Sequence, residues 1–196
     1  MSRNLTVAAA ITIATPRLQS YLRAPVPPAS AWAEHEWVGL CEAWSDAATR
    51  RRYRAEPAGA VAECDRWVGG DHADLLRGLD DDGGLTLGHD GDSGALVLDL
   101  DTRVDFPLPS PVWAFTVLRG VAAFLADDDS GLVEVTVDWA PDVVLMQLSP
   151  GRSVFLGRGV APTARARDAE FDARCAVSDT DRGETASEVV DRVPAG

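Results

Sequence analysis

The chain reads as an α+β protein: a mostly antiparallel sheet of five or six strands packed against a buried helix at about 112–126, with a helical N-terminal half. Three observations predict this. Two-residue alternation of apolar and polar side chains marks the N-terminus and the region after residue 131, with helical periodicity concentrated between them. The stretch 112–126 is apolar nearly all round, with Arg119 its only charge, as expected of a core helix. Strands segregated from helices along the chain argue against alternating βαβ units.

Each element has a local reason. Leu5, Val7, Ala9, Ile11 and Ile13 alternate with Thr6, Ala8, Ala10 and Thr12, the pattern of a half-buried strand. Arg3 followed by this apolar run also suits a secretory leader, but the alternation and the paucity of leucine favour a strand and a cytoplasmic protein. A short helical stretch at 17–23 leads into Pro25, Pro27 and Pro28, a rigid connection. Ser30 suits the N-cap of a helix reaching about Arg54. Its apolar face would carry Ala33, Trp37, Leu40, Cys41, Trp44 and Ala48. Further helices are expected at 58–68, stopped by Gly69 and Gly70, and from Asp71 to near Leu79.

The segments 85–88 and 95–101 flank a turn at 89–94 and read as a hairpin. Asp127, Asp128 and Asp129 sit badly at a helix's negative end and mark the exit of the buried helix. From Leu132 to Trp139, valines alternate with Glu134, Thr136 and Asp138, which reads as a strand; 143–148 and 153–157 flank Pro150-Gly151 as a final hairpin. One domain over 1–176 follows from the length. Residues 177–196 are polar, poor in large apolar groups, and read as a C-terminal tail.

Charge bounds the class of partner. The chain has no lysine; its 31 carboxylates outnumber 18 arginines, for a net charge of −13. Such a field repels nucleic acid and attracts cations. A G/C-rich coding sequence accounts for the missing lysines but not for the acid excess. No run is long enough to span a bilayer, so no membrane association is expected. Cys41, Cys64 and Cys175 have no metal-like spacing and read as reduced thiols.

Several motifs fail on their own chemistry. Gly91-Asp92-Ser93-Gly94-Ala95 is similar to the nucleophile segment of trypsin-like serine proteases, which need a histidine base and a buried aspartate on two β-barrels. Only His35 and His72 lie upstream here, both in expected helices, so a turn is preferred. Counting a calcium loop from Asp90 puts Ala95 at the sixth position, where glycine is required, and Asp101 at the twelfth, where glutamate is required. His72-Ala73-Asp74 has the spacing of two facial-triad ligands but begins a helix. The basic run Arg50–Arg54 suits a helix C-terminus. No cofactor or metal is expected.

The remaining candidate is an acidic strand surface: Asp99, Asp101, Glu134 and Asp138 on one side of the sheet, with Asp105 at its edge. It predicts a small binding protein that neutralises a basic protein partner, such as a toxin-immunity protein or inhibitor, with a homo-oligomer as a further option. The alternative is a small-molecule enzyme of the cyclase or isomerase type. Its pocket would draw on Trp32, Trp37, Trp44, Trp67, Trp113 and Trp139, with a carboxylate as base.

Overall fold

The first strand, β1 (Arg3–Thr12), lies in the middle of the molecule, paired antiparallel on both edges. The computed structural model describes residues 3–44, 57–81, 84–104, 109–138, 140–157, 159–177 and 186–193. The fold is α+β. The sheet also contains β2 (Leu85–Asp90), β3 (Ala95–Val104), β4 (Gly131–Val137), β5 (Ala140–Ser149) and β6 (Arg152–Leu156). Six strands run in the order β2-β3-β1-β4-β5-β6, each pair antiparallel.

The alternation in β1 assigns the two faces. Val7 lies between Leu100 and Val135, and Ala9 between Leu98 and Val133, so one face is continuously apolar. Val144, Met146 and Leu148 extend it on β5. Full burial of side chains this size contributes about 1.5–3 kcal/mol each. That inner face is covered by α1 (Thr15–Arg23), α2 (Glu34–Trp44), α3 (Pro57–Trp67), α4 (His72–Asp81) and α5 (Pro109–Arg119).

The buried helix differs in extent from the expected 112–126. The α-helix ends at Arg119 and the chain continues as a 3-10 helix, Gly120–Phe124. The packing at Gly120 is the tight point: a Cβ there would lie 2.9 Å from His72 Nε2. The core character holds, with Val112, Phe115, Leu118 and Val121 buried.

Other boundaries also moved. Ser30 lies in a 3-10 turn, Ala29–Ala31, and α2 starts at Glu34, where the Glu36 carboxylate accepts from the Ala33 N–H at 3.3 Å. The C-terminal reach of that helix toward Arg54 lies outside the described residues. His89 and Asp90 continue β2, leaving a four-residue turn, with Gly94 at φ +68°. Its carbonyl accepts from the Ile13 N–H at 2.6 Å.

Two helices were not expected. The helix α6 (Ala164–Ala176) crosses the outer face of the sheet, burying Ala173 and Val177 with Ala10, Ala95 and Val97. Thr163 caps it, accepting from the Ala166 N–H. The stretch read as a polar tail contains α7 (Ala186–Arg192), packed against α4 and β2. Val189, Val190 and Val193 enter the main core. Three valines spaced along a short polar helix suffice to anchor it.

Candidate functional site

A cavity of about 860 Å³ opens at the end of the core where α5 gives way to the 3-10 helix. Its size falls in the range of small-molecule sites. Five segments line it. Ala24, Pro25 and Pro27 come from the proline-rich connection, and Trp32, His35 and Glu36 from the approach to α2 and its first turn. His72 opens α4; Arg119 to Phe124 supply the floor; Gly151 to Phe155, the β5–β6 turn and β6, form the far wall. His35, Ala123, Gly151 and Arg152 are exposed and form the rim.

Arg119 is the centre of this arrangement. The apolar helix that carries it runs through the core, so its side chain is 0% exposed. The guanidinium carbon sits 4.6 Å from the Trp32 ring centroid, 4.9 Å from Trp37 and 5.2 Å from Phe155. Ring faces attract a cation at such distances, more strongly where water is excluded. Its Nε–H donates to Ser153 Oγ at 2.8 Å and Nη2 donates to Glu36 Oε2. Nη1 is buried without a hydrogen-bond partner. Burial pushes the guanidinium pKa down, and the Glu36 carboxylate opposes that shift.

The cage itself is braced. Trp37 is buried and its indole N–H donates to the Ala29 carbonyl at 3.0 Å. Phe155 stands edge-on to Phe115, with centroids 4.8 Å apart. On the opposite side His72 is 1% exposed and stacks on Tyr21 at 4.1 Å. His72 Nδ1 lies 2.8 Å from the Ala24 carbonyl, so it carries the proton, and Nε2 is left buried and unpartnered against Gly120. Burial pushes the His72 pKa down, keeping the ring neutral.

The acidic residues expected to form a site fall on the other face. In β1, Ala8 lies opposite Asp99 of β3 on one side and Glu134 of β4 on the other. Thr6 likewise faces Asp101. The strands are therefore not neighbours, yet these carboxylates share the outer face. Asp138 sits at the end of β4, its carboxylate accepting from the Asn4 N–H at 3.0 Å. Asp99 meets Arg174 of α6 at 3.8 Å, so the face is partly neutralised by the helix that crosses it. Asp105 lies outside the described residues. Asp129, grouped with this edge, instead pairs with Arg17 at 2.7 Å and accepts from the Ala126 N–H.

The other motifs resolve locally. Asp90 accepts from the Asp92 and Ser93 N–H groups and from the Ser93 hydroxyl, the pattern of a tight turn. Those bonds hold its pKa below the ordinary aspartate value. Ser93 is thereby tied to a carboxylate rather than to a histidine. Among the described residues no group of three or more His, Cys, Asp or Glu could hold a metal ion. The Arg50–Arg54 run and Trp139 lie outside the described residues. Trp67 is 38% exposed, and Trp113 packs on the core away from the cavity.

Sequence reasoning passed over Glu36, Arg119 and Ser153. A signal for one of them was present: a lone arginine in fifteen otherwise uncharged residues is either misplaced or retained for a purpose.

The described helices include none long and apolar enough to cross a membrane. No family model matches the chain, and no curated protein or solved structure matches it. The class defined by fold and site is thus an α+β protein with a ligand-sized cavity built around a buried arginine.

Proposed function

We propose that the protein binds a small organic ligand in the cavity beside Arg119. One observation carries this reading: a fully buried guanidinium lines a cavity of about 860 Å³ with one nitrogen unpaired. Burying an arginine costs several kcal/mol even when it is paired, and an apolar side chain of similar volume often does as well or better for stability. Its retention is explained if the cavity needs it. The alternative of an enzyme with a free carboxylate base has less support, because Glu36, the carboxylate lining the cavity, is engaged by Arg119 and the Ala33 N–H.

The test is ligand-observed NMR of a fragment library against the wild type and Ala123→Trp, which adds bulk at an exposed rim position. Fragments that compete for one site and are lost in the variant support the reading. Unchanged binding in Ala123→Trp contradicts it.

A second reading keeps the acidic outer face as a docking surface for a basic protein, favoured by the placement of Asp99 and Glu134 on either side of Ala8. Both readings assume a cytoplasmic protein. The docking reading is tested with Asp101→Arg combined with Glu134→Arg. A partner recovered at low salt with the wild type should be lost with this variant. Equal recovery contradicts it.

A further inference from the structure

We propose that the cavity's ligand is an amphipathic monocarboxylate, an apolar body with a single terminal carboxylate that accepts from Arg119 Nη1. This inference rests on the reading of the cavity as a ligand site.

The donor count selects the head group. Arg119 has spent Nε on Ser153 and Nη2 on Glu36, which leaves the Nη1 edge for a further acceptor. Charge selects its valence. Two arginines line the cavity, Arg119 and Arg152, against one carboxylate, Glu36, so a single positive charge is unmatched with the histidines neutral. Among the described residues Arg152 makes no ion pair, and it stands at the rim. A cavity of net positive charge in a chain of net charge −13 is a local reversal. A carboxylate balances it; a phosphate dianion would overshoot it and lack donors. The N-terminal turn of α2 adds its positive end beside His35 and Glu36. The walls select the body: Pro27, Trp32, Phe124, Val154 and Phe155 offer aromatic and aliphatic surface without further charge.

The test is calorimetric titration of the full chain with three probes of one shape: 2-naphthylacetate, 2-naphthylacetamide and 2-naphthyl phosphate. The acid should bind at least about tenfold more tightly than the amide, the effect expected of a charge-assisted bond in a dry site. Arg119→Met should remove that preference while keeping the amide's affinity. Arg152→Gln, on the exposed rim, should narrow the preference by about threefold through its smaller, screened contribution, and it serves if Arg119→Met does not fold. Equal affinity for acid and amide in the wild type overturns the carboxylate and leaves the cavity reading standing. Tighter binding of the phosphate overturns the choice of a monocarboxylate. Binding of none of the three, in a protein that also shows no competing fragments, overturns both.

Discussion

The cavity and the outer face of the sheet are opposite solutions to placing charge. On the outer face, carboxylates such as Asp101 stand in water on alternating strand positions, where each costs little and commits the fold to little. In the cavity one arginine is fully buried, surrounded by three rings, and leaves a nitrogen without a partner. The net charge of the chain draws attention to the first region. The energetic commitment lies in the second. Abundant charge describes how a surface meets solvent, whereas a single charge placed at a cost marks where a specific interaction is worth having.

Substitutions separate the two regions by size of effect. Phe115 is fully buried beneath the cage, so Phe115→Ala should destabilise by about 3–5 kcal/mol in urea unfolding. A loss below about 1 kcal/mol would show the cavity floor to be peripheral. Gly120→Ala forces a methyl to within 2.9 Å of His72 Nε2 and should cost about 1–3 kcal/mol. An unchanged urea midpoint would mean that His72 moves aside freely.

The buried histidines predict a pH dependence. His72 and His89 both have pKa values pushed below the ordinary 6.5 by burial, with Arg192 adding to the shift at His89. The unfolded chain then binds more protons, so their contribution is complete above pH 6.5 and is lost as pH falls toward the folded values. Stability should fall by up to about 1.4 kcal/mol per histidine per pH unit in that window. Comparing urea midpoints at pH 7 and pH 5.5 checks this; His72→Gln should show a shallower decline. Asp90 does not confuse the result, because its pKa lies below 3.8 and it titrates at lower pH.

The smallest effect belongs to the outer face. Asp101→Arg with Glu134→Arg should change stability by no more than about 0.5 kcal/mol per site. A larger loss would show these carboxylates to be structural. Thiol labelling adds a qualitative contrast: burial pushes Cys64 up to about 11, so it should react only on unfolding, whereas exposed Cys175 should label in the native state.

Periodicity made the sheet legible. Alternation at Leu5 to Ile11 and at Val133 to Val137 located β1 and β4 and their faces, because a strand buried on one side must alternate. What periodicity could not provide was strand order, since β1 pairs with β3 and β4 across long separations in the chain. The helix α6 was missed because it buries mainly alanines, Ala166, Ala169 and Ala173, which give a weak apolar signal. The helix α7 was missed because three valines sit among charged neighbours. The acidic face was readable from one strand at a time. The cavity was not, because it gathers Trp32, Glu36, His72, Arg119 and Ser153 from five separate segments. Only the isolation of Arg119 hinted at it.

The central claim is that Arg119 is held for binding rather than for folding. The direct measurement is the urea-unfolding free energy of Arg119→Met beside the wild type, each with and without 2-naphthylacetate. The account predicts that the unliganded variant is as stable as the wild type or more so, by up to about 4 kcal/mol, and that the acid stabilises the wild type alone. A loss of more than about 3 kcal/mol in the unliganded variant, with equal stabilisation of both proteins by the acid, would contradict it.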